Sequence, residues 1–161
     1  MLAKLPSYQI WAINILLIVV WHILIWKFCV IADASFFSPS KWIYKTRKWE
    51  NDGAFYTCVL KIKKWKDKLP QYIAKGGFSK KNLKCNSKLD KKYIKQFILE
   101  TCRGEWDHFI CSLYGVISFI INPLSYAIVF SAMVILGNLP FIAIQRYNRI
   151  RLLKIYSKVS K

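Results

Sequence analysis

Two long stretches of this chain hold no fixed charge. None occurs from Gln9 to Trp26, and none from Phe109 to Gln145. A run of about 18 apolar residues crosses a bilayer, so this absence predicts an integral membrane protein. Acid is scarce too. Only 8 Asp and Glu stand against 26 Lys and Arg, a formal charge of +18, and every acid lies between the two apolar runs. The five cysteines (Cys29, Cys58, Cys85, Cys102, Cys111) form no C-x-x-C pair, which argues against a zinc site and, with their odd number, against a disulfide framework. Glu-x-x-His occurs once, at Glu105 and His108, where a di-iron bundle needs two copies. No metal is expected.

The basic residues gather in two places, the central segment and the tail after Gln145. In a soluble protein such a balance would point to nucleic acid. Between bilayer-length runs it points instead to anionic lipid headgroups and phosphorylated substrates, and no nucleic-acid partner is expected. An Ala32-Asp33-Ala34 cleavage site follows the first run, but that run is too long for a signal peptide and carries Trp11, Trp21 and Trp26. It reads as a retained helix, 8–32. His22 inside it is either a functional group or a hydrogen-bonding contact to a neighbouring helix.

Ser38-Pro39 resembles a helix start, and the mixture of Trp42, Ile43, Trp49, Phe55 and Tyr56 with lysines predicts a helix on the membrane surface, interrupted at Gly53. Alternation from Cys58 to Lys63 predicts an extended piece. The basic stretch Lys61 to Pro70 suits either attraction to anionic lipid or recognition of a phosphorylated substrate such as coenzyme A. Gly76-Gly77 reads as a flexible connection, and Ser87 with Asp90 as a capping box. On the helix that follows, Tyr93, Ile94, Phe97, Ile98 and Thr101 share a face opposite Lys91, Lys92 and Lys95, and Glu105 and His108 continue the apolar face. Arg103 is expected to pair with Asp107.

Asn122-Pro123 divides the second apolar run. The resulting expectation is an all-α integral membrane protein with three transmembrane helices, 8–32, 105–121 and 124–145. The last two form a hairpin whose 124–145 arm is loosened at Pro140, with a basic, interfacial, mainly helical segment at 33–104 and a basic tail at 146–161. The hairpin brings Arg103-Gly104-Glu105-Trp106-Asp107-His108 against Gln145-Arg146-Tyr147-Asn148-Arg149. The excess of Lys and Arg places the N-terminus outside, with the central segment and C-terminus cytosolic. A histidine titrates near neutral pH and a carboxylate three residues away can set its tautomer. Glu105 and His108 are therefore a candidate acid–base pair. Arg146 and Arg149 either end a span or bind an anion with fork geometry, flanked by Tyr147 and Asn148.

Four ordered blocks carry a resemblance: Trp49-Glu50-x-x-Gly53-x-x-Tyr56; Ile62 through Pro70; Glu100-Thr101-x-Arg103-x-Glu105-x-x-His108; and Asn138-Leu139-Pro140 through Gln145-Arg146-Tyr147-Asn148-Arg149-x-Arg151-Leu152. Together they resemble the glycosyl-4,4′-diaponeurosporenoate acyltransferase family, which esterifies a fatty acyl chain to the sugar hydroxyl of a glycosylated carotenoid carboxylate. The resemblance implies a cell-membrane acyltransferase with a lipidic glycoside acceptor and acyl-coenzyme A or another acyl donor as co-substrate, and no bound cofactor. On that reading His108 takes the acceptor's proton and Glu105 orients the imidazole. Arg103, Lys64, Trp65, Lys66, Arg146, Tyr147, Asn148 and Arg149 bind substrate. No Ser or Cys stands in a nucleophile motif; Cys102 and Cys111 are the candidates for a covalent route. The rival is a non-catalytic membrane protein whose basic segments dock anionic lipid or a partner.

Overall fold

The computed structural model describes residues 2–70 and 91–159, and every regular element among these residues is helical. The α-helices are α1 (Ser7–Ile31), α2 (Lys91–Ser112), α3 (Tyr114–Ile121) and α4 (Leu124–Val159). Gly76-Gly77, Cys85 and the Ser87 capping box lie outside the described residues. The chain forms two compact units, an apolar one of Met1–Asp33 with Glu105–Ile142 and a basic one of Ala34–Gly104 with Ala143–Lys161.

In the apolar unit α1 lies antiparallel to α2 and α3. Trp21 Nε1 donates to the Ile110 carbonyl at 3.2 Å, Phe28 meets Trp106 at 5.1 Å, and Asn14 bonds Asn122. It lies parallel to α4, with Trp11 edge-on to Phe130 at 4.7 Å. The inward stripes carry polar side chains among the apolar ones. Asn14, Ser118, Asn122, Ser131 and Asn138 are buried, whereas Leu16, Ile120 and Leu136 are each more than 60% exposed. This inversion suits lipid, which is as apolar as leucine and offers no drive to hide it, so helices join through small and polar contacts. Small residues let α3 and α4 close up. Ser131 Oγ donates to the Gly115 carbonyl at 2.6 Å, and a Cβ on Gly115 would sit 3.2 Å from Ile135.

Two helices, α1 and α4, are long and apolar enough to cross a membrane. Their most apolar windows are only 11% and 28% buried, the opposite of core helices in a soluble protein. The segment expected to be one helix over 105–121 is broken at Leu113. There the Leu113 N–H reaches back to Ile110 O, a tightened turn, while Ser112 Oγ donates to the His108 carbonyl at 2.9 Å. Hydroxyl back-bonding of this kind bends helices. Pro140 lies inside α4, which continues as one helix to Val159.

The basic unit corrects two expectations. The surface helix after Ser38-Pro39 is replaced by short 3₁₀ turns (Ala34–Phe37, Trp42–Tyr44, Lys48–Gly53), and the extended piece is a π-turn (Phe55–Val59) followed by 3₁₀ turns (Ile62–Lys64, Lys66–Lys68). The cause is backbone punctuation. Asn51, Asp52 and Gly53 run in succession at φ 42, 54 and 95°, and Lys61 sits at φ 48°. Left-handed residues stop a helix and break strand alternation alike. Gly53 interrupts the segment as expected.

The face foreseen on α2 is the packed one. Ile94 and Ile98 are buried with Leu152, against Phe97, Ile155 and Tyr156, while Lys91, Lys92 and Lys95 are exposed. A second cluster joins Tyr56 and Ile62 to Tyr147 and Ile150. α2 and α4 lie close at Gly104, where a Cβ would fall 2.9 Å from Gln145 Nε2. The two charged segments predicted to meet do meet there.

Candidate functional site

The apolar unit holds both histidines of the chain on one amide. Asn138 Oδ1 lies 2.9 Å from His108 Nδ1, Asn138 Nδ2 donates to the Val134 carbonyl at 2.9 Å, and the same nitrogen lies 3.5 Å from His22 Nε2. A backbone carbonyl only accepts, so the Val134 bond fixes which end of the amide is nitrogen. The acceptor Oδ1 therefore faces His108, and Nδ1 must carry the proton. The ring's unprotonated nitrogen is then Nε2, the form a general base requires. His22 obeys the same logic: its Nδ1 donates to the Ile18 carbonyl at 2.8 Å, leaving Nε2 to accept from Asn138. Phe141 stacks on His108 at 4.7 Å and 17°, limiting ring rotation.

One acidic group acts on this chain of bonds. Asp107 acts electrostatically on both His108 and His22, and it accepts from Cys29 Sγ at 3.7 Å. Glu105 is buried at 6% exposure on the inward face of α2, as its spacing predicted. The group on His108 Nδ1 is Asn138, in place of the carboxylate expected from sequence. Cys102 and Cys111 are both buried, to within 1%.

The basic unit is organised on Glu50, which is wholly buried. Arg146 meets it with a fork, Nε to Oε1 at 2.9 Å and Nη2 to Oε2 at 3.0 Å. Tyr56 donates its hydroxyl at 2.6 Å, and the Arg47 backbone N–H donates as well. Burial pushes the Glu50 carboxyl up, but Arg146, Tyr56 and the Arg47 amide outweigh it and hold the group below the usual range. Burial, then the Glu50 carboxylate, push the Tyr56 phenol well up. The remaining Arg146 donors reach the Ile43 and Lys45 carbonyls at 3.3 and 3.2 Å.

The other substrate-binding candidates also have defined places. Arg149 is buried, donates to the Tyr44 carbonyl at 3.1 Å and lies over the Tyr44 ring. Tyr147 belongs to the Tyr56 cluster, Asn148 is half-buried beside it in sequence, and Trp65 packs on the cluster while donating to Leu60 O at 2.8 Å. Lys66 is buried with its ammonium 3.0 Å from Asp67, whereas Lys64 is exposed. Arg103 pairs with Glu100 at 2.7 and 2.8 Å and lies over Phe37. That replaces the expected pairing with Asp107, because Glu100 one turn earlier accepts both contacts from a single guanidinium nitrogen.

Sequence reasoning quoted Asn138, Glu50 and Tyr56 in the family blocks but gave none of them a role in the site. Each left a signal. Asn138 is an amide amid a charge-free run, and Glu50 is an acid within a strongly basic, aromatic stretch.

Two helices of membrane length, with asparagines and serines inside and leucines outside, suit a membrane-associated helical protein, and both histidines share one asparagine amide. A family model for glycosyl-4,4'-diaponeurosporenoate acyltransferase matches residues 40–158. Proteins of that name from Staphylococcus aureus (strain bovine RF122 / ET3-1) and Staphylococcus haemolyticus (strain JCSC1435) are each 31% identical, over 124 and 122 residues. The matches cover 74% of this chain and 72% of the first relative, and 76% and 70% for the second. The protein of that name from Staphylococcus aureus (strain USA300) is 32% identical over 117 residues, 70% of this chain and 67% of its own. No solved structure matches. The chain belongs to the glycosyl-4,4'-diaponeurosporenoate acyltransferase family and is an acyltransferase, which sets aside the non-catalytic reading.

Proposed function

We propose that this enzyme transfers a fatty acyl chain to a sugar hydroxyl of a membrane glycolipid, a glycosylated carotenoid carboxylate, with His108 as the base. The observation that carries the reading is the bond between His108 Nδ1 and Asn138 Oδ1. With the proton held on Nδ1, Nε2 removes the hydroxyl proton as the oxygen attacks the acyl carbonyl carbon. The imidazolium then returns that proton to the departing group of the donor, acyl-coenzyme A or another activated acyl carrier. Asp107 favours the imidazolium between these steps. Asn138 is the orienting residue, and Glu105 is a buried carboxylate on the helix face that carries His108.

The site belongs to three spans, 8–32, 105–121 and 124–145, with the N-terminus outside and the basic segments cytosolic. Exposed Lys61, Lys63, Lys64 and Lys68 draw anionic donor and anionic lipid to that face. Arg103, Lys66, Trp65, Arg146, Tyr147, Asn148 and Arg149 shape the unit that presents them, through the ion pairs and ring contacts already described.

The test is transfer of a labelled acyl group from acyl-coenzyme A to a glycosylated carotenoid carboxylate by purified protein in lipid vesicles. His108→Gln keeps a polar side chain and loses proton transfer, and the expected loss is at least about 100-fold with helical content unchanged. A folded His108→Gln protein with full activity overturns the mechanism.

A further inference from the structure

Within the basic unit, α2 and the end of α4 leave an open cavity of about 380 Å³ against the 3₁₀ turn that follows α1. Its wall is almost wholly apolar, with Ala34, Pro39, Ile98, Leu99 and Leu153 contributing, and the charged residue on it is Lys95. None of these side chains takes part in the Glu50 cluster or the histidine pair. An apolar slot with one ammonium is an amphiphile's shape, oil along the wall and negative charge at the rim. The volume is near the lower end of the roughly 300–1,000 Å³ typical of ligand sites, which favours one chain over the two of a phospholipid. Charge points the same way, because Lys91 and Lys92 lie exposed on the helix face that carries Lys95.

We infer that this cavity takes the fatty acyl chain of the acyl donor, a single-chain amphiphile whose anionic headgroup meets Lys95. The inference rests on the acyl-transfer reading and adds where the chain lies and what sets its length. The cavity holds about 380 Å³, so its volume limits the length of chain it accepts. Leu153 is 37% exposed and Ala34 is exposed, so larger residues at either position fill the slot without entering the packed core.

The experiment is equilibrium binding of saturated acyl-coenzyme A species of increasing chain length to the full chain in phosphatidylcholine nanodiscs, with coenzyme A and fatty alcohols as controls. Wild-type affinity is expected to rise with chain length and then level off. Leu153→Trp and Ala34→Phe are expected to weaken the longest chains about tenfold, the discrimination a few methylenes provide, and to leave the shortest unchanged. Lys95→Ala is expected to weaken acyl-coenzyme A a few-fold and fatty alcohols not at all. Affinity that ignores chain length, or that both bulky variants leave untouched, overturns the inference. Binding is read without turnover, which separates the two claims. A protein that binds through the cavity and transfers nothing keeps this inference and loses the transfer reading. One that transfers with the same chain-length profile in both bulky variants keeps the transfer reading and loses this inference.

Discussion

The two units of this protein differ in the polar side chains they bury, mostly neutral amides and hydroxyls in one and mostly charged groups in the other. The apolar unit buries asparagine and serine beside phenylalanine and valine and shows leucine and isoleucine; the basic unit buries tyrosine and isoleucine around Glu50 and shows most of its lysines. The solvent explains the contrast. Lipid gives no reward for hiding leucine, so in the apolar unit hydrogen bonds and close backbone packing determine which faces meet. Water rewards the burial of tyrosine and isoleucine, and in the basic unit one acid organises the surrounding cations. Polar burial therefore does different things in the two regions: it ties both histidines to one asparagine in the first, and it fixes an irregular chain path in the second.

The sharpest break in that comparison is Glu50→Ala, which leaves the Arg146 guanidinium, at 12% side-chain exposure, without its carboxylate. Removing one partner of a buried pair costs about 3–5 kcal/mol, read as loss of protease resistance in the basic unit. The same carboxylate makes that unit acid-sensitive. Its folded pKa is depressed, so its contribution is present above the unfolded glutamate value and disappears as pH falls through the folded one. Wild-type stability should fall as pH drops below the unfolded glutamate value, and Glu50→Gln should flatten that limb of the curve.

Next in size is Gly104→Leu. A Cβ alone would press on the flexible end of Gln145, which can move, so Gly104→Ala should be nearly silent. Leucine should cost about 1–3 kcal/mol through overpacking, visible as a lower unfolding temperature. In the apolar unit Asn14→Leu removes the amide that bonds Asn122 and Tyr114. Interhelical hydrogen bonds in membranes average only about 0.6 kcal/mol, so a loss near about 1 kcal/mol in detergent-titrated unfolding is expected, well short of Glu50→Ala. A larger loss would mean that the polar knot matters as much in lipid as the ion pair does in the basic unit. Smallest is Lys154→Ala. Its 3.7 Å contact with Asp52 joins side chains 53% and 82% exposed, and exposed pairs contribute about 0–1 kcal/mol at most.

Helix positions on α1, α2 and α4 were legible because spacing and charge runs carry them. The inward face of α2 through Glu105 and the meeting of Gly104 with Gln145 were both readable from periodicity and the Asn122-Pro123 turn. The region from Ser38 to Pro70 was not. Aromatic and basic residues there suit many backbones, and the decision fell to the positive φ angles at Asn51, Asp52 and Lys61, which those residue types permit without announcing. His108 was visible as an ionisable group at the membrane boundary. Its partner was not, because Asn138 is 30 residues away on another helix, and only packing says which of several polar groups in an apolar run will reach it. Glu105 was the nearer guess by sequence, yet a side chain three residues along the same helix competes with one presented from across the interface.

The saturation of Arg146 has a consequence for chemical labelling. Dicarbonyl reagents attack guanidinium groups that can leave their hydrogen bonds, and Arg146 donates to a buried carboxylate and two backbone carbonyls. It should resist modification in the folded enzyme while exposed Arg151 reacts quickly. Cleaving the fork through Glu50→Gln would turn the protected arginine into a reactive one, so the modification pattern reports the state of the basic unit without any need for substrate.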